Sequence, residues 1–198
     1  MFAQVIKGKV RDVDAVRRQS DRWRDELRPG AKGFLGSTIG VTDDGTAVVI
    51  ARFEDAAAAA ANAARPEQGA WWEETVKAFD GEPTFRESED TSTLFEGGSD
   101  DAGFVQVMES TVSDRAKLEA MESPEMLEEL RAARPDLLGG LRVWFDGGTC
   151  VEIAYFTSEA DARKGESSEE FAGPGEEFAA LFGDMSFTDL KKPMLIGP

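Results

Sequence analysis

The sequence predicts an α+β fold in which one unit, made of an antiparallel sheet and helices, occurs twice in tandem. Three observations support this prediction: an ordered internal repeat, a short segment of small and acidic residues between its two copies, and the same order of strand and helix patterns in each copy. The chain has 198 residues, of which 41% are hydrophobic, so each copy has enough apolar side chains for a core.

The repeat becomes visible when the second half of the chain is aligned with the first. Residues 2–6 match 104–108, and residues 46–53 match 149–156. Further matches keep the same order, namely Val10 and Asp12 with Val112 and Asp114, Arg28-Pro29 with Arg134-Pro135, and Phe79 and Phe85 with Phe182 and Phe187. We therefore predict a first repeat over 1–95, a linker over 96–103 and a second, diverged repeat over 104–198.

Local patterns predict the order β-α-β-β-α-(α)-β within one copy. Residues 2–10 form a strand, and Asp12 caps a helix that Pro29-Gly30 ends. The turn Asp43-Asp44-Gly45 joins residues 33–42 and the apolar run 46–53 into a hairpin. The remaining elements are a helix over the alanine run 56–61, a helical segment through Trp71, Trp72, Val76 and Phe79, and a last strand over 83–89.

Charge and hydropathy exclude several classes of partner. The 39 acidic and 22 basic residues give a net charge of -17, which repels nucleic acid and anionic membrane surfaces. No apolar run approaches the roughly 20 residues of a membrane span, and the first residues do not resemble a signal peptide. We therefore expect a cytoplasmic protein with no nucleic-acid and no membrane partner.

The two copies differ in charge. The chain up to Gly98 has 13 basic and 18 acidic residues, a net charge of -5, whereas the remainder has 9 and 21, a net charge of -12. This divergence indicates that the two halves no longer do the same work.

Two absences in the composition limit the chemistry. The chain has no histidine, which excludes Ser/His/Asp and Cys/His nucleophiles, histidine-ligated haem and the usual zinc and non-haem iron sites. Cys150 is the only cysteine, and its apolar neighbours predict a buried structural thiol. We predict a protein with no cofactors: no haem, no flavin and no stoichiometric metal.

The segments 62–72 and 79–85, together with the order of elements, resemble the antibiotic biosynthesis monooxygenase group of the dimeric α+β barrel superfamily. The resemblance covers both halves of the chain. It implies two tandem ferredoxin-like domains that bury their open sheet faces against each other, as an intramolecular pseudo-dimer equivalent to the usual homodimer. Further homo-oligomerisation of the full chain stays open.

The resemblance also implies candidate site residues. The haem-degrading branch of this superfamily uses an Asn, Trp, His set, which a chain without histidine lacks. The cofactor-independent branch oxidises polycyclic phenols directly with dioxygen, and its pattern carries over to Asn62, Trp72 and Arg86 as catalytic residues. Candidate substrate-binding residues are Trp71, Arg52 and Phe79 in the first copy and Glu152 and Tyr155 in the second.

Structural interpretations stand beside these roles. One ring of the Trp71-Trp72 pair can belong to the core, Asn62 can cap a helix, and Arg86 can lie solvated at a strand edge. Glu152 shares a strand face with Cys150 and either acts as a general base or pairs with an arginine across the pseudo-dimer interface.

We place the ligand site in the first copy. The second copy has Gly165 opposite Asn62 and Pro174-Gly175 opposite the tryptophan pair. Three functions remain in competition: a cofactor-independent monooxygenase-like enzyme acting on a small aromatic or polyketide-like molecule, a non-catalytic binding protein for a small hydrophobic ligand, and a stress-related α+β barrel protein with no ligand.

Overall fold

A computed structural model describes residues 1–167 and 175–198 of the chain. The chain forms two compact units: a first unit of residues 1–91 and 192–198, and a second unit of residues 92–191. Each unit contains a five-stranded sheet. Within the described ranges, no helix combines the length and the apolar character needed to cross a bilayer.

The first unit has the strand order β10-β2-β3-β1-β4. Its elements are β1 (Phe2–Lys9), α1 (Val13–Arg22), β2 (Phe34–Val41), β3 (Thr46–Phe53), α2 (Ala56–Ala63), α3 (Pro66–Thr75), β4 (Thr84–Ser88) and β10 (Met194–Ile196). A π-helical segment, Trp23–Leu27, and a 3-10 turn, Arg28–Gly30, extend α1, and a second 3-10 turn, Val76–Ala78, follows α3.

The second unit has the equivalent order β5-β7-β8-β6-β9. Its elements are β5 (Thr91–Phe95), β6 (Phe104–Thr111), α4 (Arg115–Met121), α5 (Pro124–Ala133), β7 (Leu137–Trp144), β8 (Thr149–Phe156), α6 (Glu159–Glu166), α7 (Gly175–Ala179) and β9 (Ser186–Leu190). The 3-10 turn Asp146–Gly148 joins β7 to β8.

Residues matched in the sequence occupy corresponding places in the two units. Asp12 accepts the backbone N–H of Ala15 and caps α1, and Asp114 does the same for α4 through Lys117. The β1–β3 and β6–β8 pairings are antiparallel in the same register, with residue 2 opposite 53 and residue 104 opposite 156. The predicted α+β class with two ferredoxin-like units in tandem is confirmed.

The compact units differ from the predicted repeats at their ends. The sequence analysis expected four strands in each copy, but each sheet has a fifth, short edge strand. Strand β5 at the end of the first repeat joins the second sheet, and β10 at the end of the second repeat joins the first sheet. The repeat boundaries 1–95 and 104–198 are therefore not the boundaries of the compact units. β10 has only three residues, and β5 lies directly before the linker of small and acidic residues, so neither gave a separate strand pattern.

Strand alternation gives the first sheet two distinct faces. Ala51 and Phe53 of β3 face α1–α3, and Phe53 belongs to a core cluster with Trp23 and Val16. Val48 and Ile50 of the same strand point to the opposite face by alternation and are also buried. The packing of the two sheets into a pseudo-dimer stays a prediction.

Candidate ligand cavity

The first unit contains a cavity of about 270 Å³ between its sheet and the helices α1, α2 and α3. Strands β1, β2, β3 and β4 form its floor through residues of one sheet face, including Ile6, Ile39 and Val49. Its other walls are helical. Enclosed apolar cavities of this kind, with a few polar groups, are the usual form of a small-molecule site.

A cluster of aromatic side chains forms one wall of the cavity. Trp71 and Trp72 lie with ring centroids 6.0 Å apart, and Trp72 is 6.4 Å from Phe79 and makes an edge-to-face contact of 5.2 Å with Phe85. The indole N–H of Trp71 donates to the carbonyl of Gln19 at 2.8 Å, which fixes that ring. Trp71, Trp72 and Phe79, three of the predicted site residues, therefore lie together.

Asn62, the fourth predicted residue of this cavity, is buried near the end of α2 with 7% of its surface exposed. Its Oδ1 accepts a hydrogen bond of 2.8 Å from Nη1 of Arg65, while the backbone of Ala64, not the Asn62 side chain, caps the helix. Because a guanidinium can only donate, the oxygen of the amide must face Arg65 and the Nδ2 donor must face away. Within the described chain, Nδ2 has no protein partner.

Gln68 presents a second amide of the same kind. Its Oε1 accepts the indole N–H of Trp23 at 2.8 Å, and an indole nitrogen is also a pure donor. The Nε2 donor of Gln68 has no hydrogen-bond partner among the described residues, and the residue lines the cavity. The cavity therefore has two amides whose carbonyl oxygens are occupied.

At the β1–β4 edge of the cavity, Gln4 is oriented the other way. Its Nε2 donates to the carboxylate of Glu87 at 2.6 Å, so its Oε1 is left as an acceptor. The equivalent Gln106 of the second unit donates to Asp189 at 3.0 Å. Both glutamines thus donate to a carboxylate of the neighbouring edge strand.

Arg52 and Arg86 do not line this cavity. Arg52 alternates with Ala51 and Phe53 on β3, and Arg86 follows the cavity residue Phe85 on β4, so both arginines point to the opposite face of the sheet. The prediction of Arg86 as a catalytic residue and Arg52 as a substrate-binding residue beside Asn62 and Trp72 is therefore corrected. Among the described residues that line the cavity, none is charged.

The second unit has a cavity of about 480 Å³ at the corresponding place, with a different lining. Arg142 lies there between two carboxylates: its Nε donates to Glu152 at 2.7 Å, and its Nη1 and Nη2 donate to Glu122 at 2.9 and 2.6 Å. Burial opposes the charged form of Arg142, but the hydrogen bonds and charges of the two glutamates raise its pKa above its ordinary value.

Glu152 therefore has an arginine partner, but from the neighbouring strand of its own sheet and not across a pseudo-dimer interface. Tyr155, the other candidate in this unit, is fully buried. It lies three positions after Glu152 on β8, so its side chain points to the opposite face of the sheet. Neither Glu152 nor Tyr155 joins the residues of the first cavity. Pro174, predicted opposite the tryptophan pair, lies outside the described residues.

Cys150 is buried beside Glu152, as the sequence predicted for a structural thiol. Burial raises the pKa of this thiol to about 12, and the charge of Glu152 acts in the same direction. In the part of the chain that the structure describes, no group of three or more acidic or cysteine side chains is placed to hold a metal ion.

Three participants in the first cavity were missing from the predicted site: Gln68, Arg65 and Trp23. Arg65 is the extended N-cap residue of α3, so its bond to Asn62 spans the junction of α2 and α3, and no helical spacing indicates the pair. The contact of Trp23 with Gln68 joins residues from different helices, α3 and the extension of α1, and no local pattern indicates it.

Solved structures with the same fold cover the whole chain. The "putative monooxygenase" of Fusobacterium nucleatum has a TM-score of 0.75 at 9% identity, covering 99% of this chain and 94% of that one. The "putative monooxygenase" of Lactobacillus acidophilus has a TM-score of 0.71 at 12% identity, covering 98% of both chains. An "anthrone oxidase-like protein" has a TM-score of 0.63 at 11% identity, covering 100% and 94%.

These likenesses confirm the predicted fold over the whole chain. No family model matches the sequence, and no curated protein matches it. The fold and the cavity together define an α+β protein of two ferredoxin-like units, with an apolar cavity in the first unit and an ion-paired one in the second.

Proposed function

We propose that the protein is a cofactor-independent monooxygenase-like protein that binds and oxidises a small aromatic or polyketide-like molecule in the cavity of the first unit. The observation that supports this best is a buried Asn62 amide with a free donor beside an aromatic wall. The wall accommodates a flat ring system, and the donor can bind an oxygen atom attached to it.

The chemistry follows from what the cavity offers. An aromatic ketone with an acidic CH2 group conjugated to its carbonyl can form an enolate, and the enolate oxyanion would accept hydrogen bonds from Asn62 and Gln68 in the apolar cavity. The enolate carbon can then reduce dioxygen without a metal. One oxygen atom enters the product as a carbonyl, and the other leaves as water with the two hydrogen atoms of the oxidised carbon.

The proposal assigns no role to Arg52 or Arg86. Arg52 and Arg86 lie on the opposite sheet face, so the oxyanion would be stabilised by neutral amides and not by a cation. Among the described side chains of the lining, none is a carboxylate or an amine that could take the proton. The substrate must therefore release its proton to bulk water and bind as the preformed anion.

A non-catalytic ligand-binding function is the second candidate, and the same lack of an acid or base in the lining favours it. Both functions require binding in the first cavity, but only the enzyme consumes oxygen. The two can therefore be separated by experiment.

The test combines calorimetric titration with anthrone under anaerobic conditions and an oxygen electrode. We expect one binding site per chain. Trp72→Ala removes part of the aromatic wall and Asn62→Ala removes the hydrogen-bond donor, so each should weaken binding about tenfold or more. Protein-dependent oxygen uptake with release of the oxidised ketone supports the enzyme, and binding without uptake supports the binding protein. Two equivalent sites, or binding unaffected by both substitutions, would contradict the proposal.

A further inference from the structure

We infer that Arg65 and Trp23 are positioning residues that fix the amides of Asn62 and Gln68, so that the helical wall of the first cavity presents N–H donors and selects ligands with an acceptor oxygen. This inference rests on the proposed ligand binding in that cavity and adds its hydrogen-bonding specificity. It assigns roles to Arg65, Trp23 and Gln68.

The first step concerns Arg65, which is itself held in place. Its side chain is 17% exposed, and its Nη1 donates to the carbonyl of Leu27 at 3.1 Å as well as to Asn62. Its Nε donates to Glu67 at 2.9 Å. A Cβ at Gly30 would lie 2.6 Å from Nη2 of Arg65, so the glycine leaves room for the guanidinium. These contacts fix the donor that faces Asn62.

The second step concerns the free atom of Asn62. Rotating its amide by half a turn would place the NH2 group against a guanidinium, donor against donor, and would leave the buried oxygen without a partner. The rotation would also lose the hydrogen bond that the charged guanidinium of Arg65 donates to Oδ1. The donor orientation is therefore strongly preferred.

The third step applies the same argument to Gln68. The indole of Trp23 is buried and packed edge to face against Phe34, with ring centroids 4.7 Å apart, so its N–H direction is fixed. Only the oxygen of Gln68 can accept it. Two amides from successive helices, α2 and α3, thus have the same polarity.

The consequence is a specificity rule. An aromatic ligand with a carbonyl or oxyanion gains hydrogen bonds from this wall, whereas a hydrocarbon of the same shape leaves both donors unsatisfied. At the β1–β4 edge, Gln4 offers the opposite polarity, an acceptor, in a more exposed place. We therefore expect the ligand to bind with its acceptor oxygen at the helical wall.

The test uses 1-indanone and indane, which differ by one carbonyl oxygen, and measures both dissociation constants by calorimetry. In the unmodified protein we expect 1-indanone to bind on the order of tenfold tighter than indane. Asn62→Asp keeps the partner of Arg65 but replaces the free donor by an acceptor, and Gln68→Glu does the same beside Trp23. Each should abolish the preference while changing the indane constant less than threefold.

Arg65→Met should lower the preference because it releases the Asn62 amide, and Arg65→Lys, which still donates, should restore part of it. In an Asn62→Ala background, Arg65→Met should change the preference no further, because Arg65 acts on it through Asn62. If Arg65 had a merely structural role, the substitution would still lower the preference in that background. If Asn62→Asp does not fold, as judged by circular dichroism, Gln68→Glu decides. Equal binding of the two compounds to the unmodified protein overturns the inference but not the cavity's binding function; binding of neither overturns both.

Discussion

The two cavities lie at corresponding places in two units of the same topology, yet one is neutral and the other is ionic. In the first unit the cross-strand pair Ile39–Val49 lines the cavity with methyl groups. In the second unit Arg142–Glu152 occupies the corresponding positions, and Glu122 completes an ion triad. An apolar cross-strand pair in the first cavity is thus replaced by a charged pair in the second.

The comparison separates two uses of buried polar groups. In the second unit, Arg142 satisfies both carboxylates, so these polar groups partner one another. In the first unit the amides of Asn62 and Gln68 are satisfied on one side only, and their remaining donors depend on a ligand or water. A cavity whose polar atoms are completed from outside is the better candidate for binding, because desolvating those donors must be compensated.

The largest expected effect comes from breaking the ion triad. Arg142→Met should destabilise the protein by about 3–5 kcal/mol, because it leaves two part-buried carboxylates without a partner. Chemical denaturation measures the loss. The control is Arg22→Met, which removes an exposed i,i+4 pair with Glu26 and should cost ~0–1 kcal/mol. Similar losses for both variants would mean that the triad is not a structural element of the second unit.

The next effect concerns the thiol next to that triad. Between the ordinary pKa of 9.0 and about 12 in the folded chain, the unfolded thiol releases a proton that the folded one retains. Stability should therefore fall as the pH rises through this window. Cys150→Ala should show a smaller loss between pH 9 and pH 11. At pH 8 the native thiol should react with a disulfide reagent at least about a hundredfold more slowly than in denaturant; comparable rates would refute its burial.

A third prediction compares the two exposed phenylalanines at equivalent positions of the edge strands. Phe85 is 48% exposed and lines the first cavity beside Trp72, whereas Phe187 is 59% exposed and does not line the second. Phe85→Ala should weaken binding of anthrone about three- to tenfold, and Phe187→Ala should leave it unchanged. Equal effects of the two substitutions would place the ligand elsewhere.

The smallest effect uses two glycines that each contact an arginine. Gly30→Ala places a methyl group against Arg65 and should lower the preference for 1-indanone about two- to threefold, since the guanidinium can shift at a modest cost. Gly165→Ala crowds Arg134 of the second unit and should not change the preference. A response to both substitutions would indicate a general loss of packing and not a local effect on Asn62.

The extent to which the sequence predicts this fold depends on the strength of each local pattern. The caps at Asp12 and Asp114 and the hairpin before β3 were predictable because a single residue type determines each. The edge strands β5 and β10 were not, because short strands gain their stability from the sheets they join.

The site was predicted in part for a related reason. Asn62, Trp71, Trp72 and Phe79 could be predicted because the segments that carry the resemblance contain them. The structure brings the four residues together in one cavity. Arg52 was misplaced because both faces of β3 are apolar, so the sequence does not tell which face meets the helices. Counting back from the turn between β7 and β8 pairs Arg142 with Glu152. Counting from the other end of the hairpin does not give this pair, because the register shifts between Leu137 and Gly139.

The position of β10 has a consequence for the order in which the protein is made on the ribosome. Residues 194–196 are synthesised after every residue of the second unit, yet Ile196 belongs to the core of the first, and Arg28 donates to the carbonyl of Gly197. During translation, the first sheet therefore remains one strand short until the second unit has been synthesised. The sheet whose first strands emerge earliest is therefore completed only after the second unit has been made.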